Sequence, residues 1–232
     1  MSQGRLVTRL AIRELWMTFR LLLVIVGFVG TSAFVVLLPA APAITMERLA
    51  AGLGISTIVV AGVAGWSLAD ERTAGRAGWL VSRSVARGQV LAGWFWGLVT
   101  IAVAGLAGAG LLGWLAVYSL PASFDPATFL ATLVAVAAAV AAAVAAGLLA
   151  GTVGRTWIAG LAAAAACLAF GIIAWAVFPD QPLIPGGAYR LLAEIMTGQT
   201  QLAEALTSAG IGLALAALIL VVARVSIERA EL

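Results

Sequence analysis

The chain has 232 residues, 63% of them hydrophobic and 10% charged, with a mean hydropathy of +1.12; a soluble domain carries about 25% charged residues. A sphere of this size cannot bury so large an apolar share, so the composition excludes a water-soluble globule and calls for a bilayer as solvent. All thirteen basic residues are arginine and histidine is absent, which removes the lysine of a Walker-type phosphate loop, the Ser-His-Asp triad, His-based zinc sites and histidine proton shuttles.

Residues 1–20 come first. Arg5, Arg9, Arg13 and Arg20 project within roughly an 80° sector at about 100° per residue, with Leu6, Leu10, Leu15, Met17 and Phe19 over the remainder. The pattern predicts an amphipathic helix in the membrane interface, its arginines reaching toward lipid phosphates. A plain anchor fits it, and so does an elbow that fixes the first span beside a cytoplasmic partner.

A spanning helix needs roughly 20 apolar residues, and the charges mark six such runs. Their apolar parts are Leu21 to Leu38, the stretch between Arg48 and Asp70, Val90 to Tyr118, Ala127 to Val153, Trp157 to Phe178, and Ala205 to Ala223. An even number puts both termini on one side. With that side cytoplasmic, eleven of the thirteen arginines lie inside and only Arg48 and Arg190 outside, as the positive-inside rule requires. The expected location is therefore the inner (plasma) membrane, multi-pass, with both termini cytoplasmic. No Asp, Glu or Arg falls within a proposed span, which argues against ion coupling through side chains and against an arginine voltage sensor.

Glycine pairs such as Gly93 with Gly97 and Gly147 with Gly151, and the cluster Gly105, Gly108, Gly110 and Gly113, offer faces where backbones can approach. They fit an oligomer contact or packing within the chain. The single cysteine, Cys167, lies in an apolar run and reads as a small core hydrophobe.

Two segments outside the spans carry pattern. Residues 70–88 open on Asp70 and Glu71, continue with recurring arginines, and hold Trp79, Leu80, Val81 and Val85 between them. A short helix with both charge signs and an apolar ridge suits docking in a groove on another protein. Residues 179–204 include Tyr189 to Thr197, which places Leu191, Leu192, Ile195 and Met196 on one side of a helix and Arg190, Glu194 and Thr197 largely away from it.

At Glu71, Gly75, Leu80-Val81-Ser82, Ser84-Val85-Ala86-Arg87 and Gly93 the chain resembles permease subunits of type 2 ABC transporters, which carry an acidic residue, a Gly, a Leu-rich stretch, a Ser/Pro turn and an Arg leading into the third span. Arg76, Ser84 and Trp94 stand where that family usually has Thr, Pro and Lys. The resemblance covers the whole chain: an elbow helix, six spans, a cytoplasmic helix after the second, a short loop at Gly154-Arg155-Thr156 and a longer outer segment before the last span.

The resemblance implies an all-α integral membrane protein, residues 1–232 forming one six-span permease domain, with short outer helices between the fifth and sixth spans that close an exit. It also implies a cytoplasmic ABC ATPase partner that carries ATP and Mg, a second permease chain (identical or different), contact with membrane lipids, no nucleic acid, and no cofactor, metal or catalytic residue in this chain. Glu71, Arg72, Gly75, Arg76, Leu80 and Arg87 would form the surface coupled to the ATPase, with Arg155 a smaller contact. The substrate route would be lined by the second and fifth spans, with Ser56, Thr57, Trp66, Ser67, Cys167, Phe170 and Trp175 as candidates. A lining without charge favours a lipidic, amphipathic or drug-like substrate, and the lack of a large outer domain for receiving a binding protein favours export. The alternative is a membrane-embedded small-molecule binding module of an energy-coupling importer, which would also have about six spans and no ATPase motif. A membrane enzyme is disfavoured, because without His, Lys or an intraspan carboxylate the usual hydrolase and intramembrane protease sites cannot be assembled.

Overall fold

The computed structural model describes residues 3–38, 40–75, 85–118, 125–177 and 186–229, with side chains from residue 5 onward and to residue 172 in the sixth helix. The described residues form α1 (Gln3–Met17), α2 (Arg20–Leu37), α3 (Pro42–Thr73), α4 (Arg87–Tyr118), α5 (Pro126–Val153), α6 (Thr156–Val177), α7 (Gly187–Ala193), a 3-10 turn (Glu194–Thr197) and α8 (Leu202–Arg229), with no strand among them. Five of the helices, α2, α3, α4, α5 and α8, are long and apolar enough to cross a membrane, whereas the apolar stretch Thr156–Ile172 of α6 is shorter. The protein is an all-α, multi-pass membrane protein.

The first helix differs from expectation at its end. It stops at Met17; the Thr18 hydroxyl donates to the Glu14 carbonyl at 2.7 Å, and Phe19 takes a left-handed conformation (φ 57°) before α2 begins at Arg20. That turn rotates Arg20 out of the sector it would share with Arg5, Arg9 and Arg13 on one continuous helix. The latter three stay exposed, and Arg20 is buried. The buried stripe of α1 is Val7, Ala11 and Leu15, four residues apart. It lies on α4, where Gly93 has no Cβ to meet the Val7 side chain and a Cβ on Gly97 would come only into ordinary contact with Ala11 and Ile12.

The later helices start and stop on local signals. Pro42 and Pro126 occupy first turns, where a missing N–H costs nothing. Asp125 caps α5, accepting from the Ala127 and Thr128 amides at 3.2 and 3.0 Å and from the Thr128 hydroxyl at 2.7 Å, which holds its carboxyl below the usual range. Gly198, at φ 71°, ends the 3-10 turn. At 32 residues, α3 and α4 each rise about 48 Å, longer than a hydrocarbon core of about 30 Å. Asp70 to Thr73, placed by the sequence pattern at the start of a separate cytoplasmic segment, are the last turn of α3. Residues 76–84, the middle of that segment, lie outside the described residues.

The centre of the bundle is α3, which packs on α2, α4, α5, α6 and the short α7, while α5 runs along α8 in the most extensive helix pair. Between α3, α5 and α6 the backbones nearly touch. A Cβ on Gly151 would lie 2.7 Å from the Gly65 carbonyl oxygen, one on Gly160 would lie 2.6 Å from that of Gly62, and one on Gly147 would run into the Ala61 carbonyl. The glycine faces seen in the sequence are thus used within the chain: Gly105 accommodates Phe28, Gly110 accommodates Leu133 and Gly113 accommodates Leu49. Between α2 and α3 the Thr31 and Ser56 hydroxyls meet at 3.2 Å, a polar contact of the kind that joins helices in lipid.

Gly147→Leu is expected to destabilise the bundle by at least about 1–3 kcal/mol, because the obstacle is backbone and cannot yield. Gly108→Ala, whose new Cβ meets nothing within 4 Å, should be neutral or stabilising by up to about 1 kcal/mol. Thermal loss of the monodisperse peak in size-exclusion chromatography, in detergent, separates the two.

Candidate functional site

One end of the bundle collects arginines, and most of them tie helix termini together. Arg20 is only 6% exposed, forms an ion pair with Asp70 at the end of α3, and stacks on Trp66 with Cζ 4.5 Å from the ring centroid. Its Nε and Nη1 have no hydrogen-bond partner among the described residues. Arg72 donates through Nη1 to the Gly151 carbonyl at 2.9 Å and reaches the Gly154 carbonyl at 3.5 Å, covering the C-terminus of α5 where acceptors are unsatisfied. Arg87 does the same for α8, donating to the Glu228 carbonyl at 2.8 Å. The Thr152 hydroxyl donates to Ser226 at 2.9 Å, and Arg224 pairs with Glu228 at 2.8 Å.

The expected ATPase-coupling residues distribute unevenly over this end. Glu71 is buried, Arg72 and Arg87 are engaged with carbonyls, and Gly75, at φ 71°, follows the end of α3. Arg155 is exposed and near enough to Arg72 for the two guanidiniums to repel. The fold therefore brings the end of α3 and the α5–α6 connection to one surface. Arg76 and Leu80 lie outside the described residues.

The opposite half of the bundle holds a cavity of about 740 Å³ between α3, α5, α6, α7 and α8. Its walls are largely Ala, Gly, Leu and Ile, with Phe170 on α6 and with Glu47 and Arg190 where it is lined by the start of α3 and by α7. Three of the sequence candidates, Thr57, Cys167 and Phe170, line it. Ser56 is instead bonded to Thr31 on α2, Trp66 lies beneath Arg20, and Ser67 is fully buried with no partner among the described residues. The Trp175 side chain lies outside the described residues.

Sequence reading missed Tyr189 as a cavity residue. Its hydroxyl lies 2.7 Å from that of Thr57, which already donates to the Leu53 carbonyl at 2.8 Å, so Tyr189 is the donor. Burial pushes the phenol above its ordinary pKa and keeps it neutral. This bond fastens α7 to the middle of α3 across 132 residues. The buried Ala188, Leu191, Leu192 and Ile195 seat the same short segment on the bundle, as the apolar side foreseen for residues 189–197 suggested; Met196 is only half-buried. Outside the bundle core, Arg190 pairs with Glu194 at 2.6 Å.

The fold and this site define a multi-pass helical membrane protein with a largely apolar cavity toward one end of the bundle and an arginine-tied surface at the other. No protein-family model matches the chain, and no curated protein matches it significantly.

Asp70→Leu should destabilise the protein by about 3 kcal/mol, toward the low end for breaking a buried ion pair because Asp70 is 25% exposed. The double variant Arg20→Met with Asp70→Leu should recover most of that loss. Melting in detergent micelles of the two singles and the double completes the cycle.

Proposed function

We propose that the chain is the transmembrane permease of a type 2 ABC exporter for a lipidic, amphipathic or drug-like substrate, driven by a separate cytoplasmic ATPase. In this reading α6 is the sixth span, α1 is the elbow helix, residues 70–88 hold the coupling element, and the arginine-rich end faces the cytoplasm of the inner (plasma) membrane. A second permease chain completes the transporter.

The observation that carries the reading is the continuity of α3. One unbroken helix runs from the cavity, at Glu47 to Ile58, to the surface formed by Asp70, Glu71, Arg72 and the neighbouring Arg155. A push on that surface reaches the cavity through a rigid rod of helix packed backbone to backbone on α5 and α6. The α7 segment, fastened to Thr57 on the same rod, is placed to respond. The amphipathic α1, lying on the first turns of α4 beside this surface, supports the elbow assignment.

The second reading, a binding module of an energy-coupling importer, is favoured by a different observation: five helices of this chain, α3, α5, α6, α7 and α8, contribute walls to the cavity. Co-purification separates the two, since a permease brings down its ATPase directly and a binding module brings down a scaffold membrane subunit. With the ATPase co-reconstituted in vesicles, Arg155→Glu, an exposed change that leaves the bundle intact, should lower substrate-stimulated ATP hydrolysis about tenfold, the effect of about 1.4 kcal/mol at a charged contact. Unchanged hydrolysis would refute the coupling surface.

A further inference from the structure

We infer that the cavity binds an amphipathic organic cation, its apolar body between α3, α5 and α6 and its single positive charge toward Glu47. As the substrate class of an exporter this rests on the permease reading. As a binding site it belongs to the single chain and stands without any partner.

The space itself calls for an apolar body. Its volume, about 740 Å³, is that of a ligand site rather than a packing defect. Glu47, Ala50, Ala51, Gly54, Thr57 and Ile58 form one stripe of α3 along it, about 16 Å from end to end. Gly54 on α3 and Gly171 on α6 both line the cavity, and a Cβ on either would meet nothing within 4 Å. Walls made largely of Ala, Gly, Leu and Ile give water little to bond, and such a cavity takes apolar matter in preference to it.

The few polar groups select the charge of that body. The Tyr189 proton is committed to Thr57 and the Thr57 proton to the Leu53 carbonyl, so this hydroxyl pair can only accept. Arg190 is already engaged, by Glu194 at 2.6 Å. Arg48 is turned to the end of α2, donating to the Leu38 carbonyl at 2.6 Å with its guanidinium over Phe34. Glu47, by contrast, is exposed and has no ion pair among the described residues. The described charged residues at this end of the helices, Glu47, Asp125, Glu194 and Glu204 against Arg48 and Arg190, leave an excess of two negative charges in a chain whose net charge is +3. Such a field draws cations and holds off anions. Phe170 and Tyr189 add aromatic wall, a surface that suits organic cations. A neutral apolar molecule gains nothing from Glu47, and an anion is repelled by it.

Cys167 is the only cysteine in the chain and lines the cavity, so its alkylation reports occupancy. The whole chain, without partners and in a neutral maltoside detergent, is treated with N-ethylmaleimide and its intact mass followed with time. Tetraphenylphosphonium and tetraphenylborate, matched in shape and opposite in charge, are added in separate reactions. The phosphonium should slow labelling saturably, with half-protection at a concentration about tenfold below that of the borate. Glu47→Gln should raise the half-protecting phosphonium concentration about tenfold, with thermal melting unchanged because the side chain is exposed. Gly54→Leu fills the space and should either block the thiol itself or remove the protection. A thiol that reacts only in the denatured chain, protection by neither ion, or wild-type labelling and protection in Gly54→Leu overturns the site. Borate as effective as phosphonium, or protection unaltered by Glu47→Gln, overturns the cation selection. No ATPase is present, so failure here and failure of the permease reading are told apart by the hydrolysis assay above.

Discussion

Three helices meet at glycines with backbone close upon backbone, and the rest of the molecule is arranged around that contact. In lipid there is no hydrophobic gain from bringing helices together, so association rests on close packing, weak backbone contacts and a few polar bonds. Gly62, Gly65, Gly147, Gly151 and Gly160 let α3, α5 and α6 approach until carbonyl oxygens of one helix stand where a Cβ of the next would be. Along this seam α3 cannot slide or turn relative to α5 without meeting backbone. Farther along the same helices, Gly54 and Gly171 face open space. One residue type therefore closes the bundle at one level and opens it at another, and the difference lies in what stands opposite.

The arginine end solves a second problem. The C-termini of α3, α5 and α8 come together where their last carbonyls need donors and where the chain leaves the apolar region. Arg72 and Arg87 reach across to carbonyls of other helices, and Arg20 pairs with Asp70 across the α2–α3 contact. Guanidinium groups suit this work because each offers several donors in a fixed plane and stays charged when partly dehydrated. An all-arginine basic set thereby acquires a structural reason in addition to its topological one. The same residues that satisfy the positive-inside pattern also bind the helix ends into one plate, beside which Arg155 stands exposed.

Much of this was legible in the sequence, and the exceptions have physical causes. Charges sit at the ends of the apolar runs, so the runs could be counted and their approximate limits found. The amphipathic first helix was visible in the arginine spacing, but its end was not: past the left-handed turn at Phe19, Arg20 meets Asp70 and Trp66, partners 50 and 46 residues away in sequence. The buried stripe Val7, Ala11 and Leu15 had the right spacing and was hidden by larger exposed neighbours such as Leu6, Leu10 and Met17. Glycine faces could be seen but not their partners. Among the substrate-route candidates, Thr57, Cys167 and Phe170 line the cavity, while the Ser56 hydroxyl turns to Thr31, which nothing local announces. Tyr189 gave no sign beyond being an aromatic near a span end, because its role comes from a contact across 132 residues.

The account joins these parts through polarity: a plate of arginines and helix ends on one face of the membrane, a cavity with its short covering helix toward the other, and α3 between them. That arrangement is tested most directly by single cysteines in a Cys167→Ala background, one at Arg155 and one at Gln199, both exposed positions. In sealed right-side-out vesicles treated with a membrane-impermeant maleimide, the account predicts that the cysteine at position 199 reacts at once and the one at 155 only after the vesicles are opened. Reaction of both from the same side would contradict it.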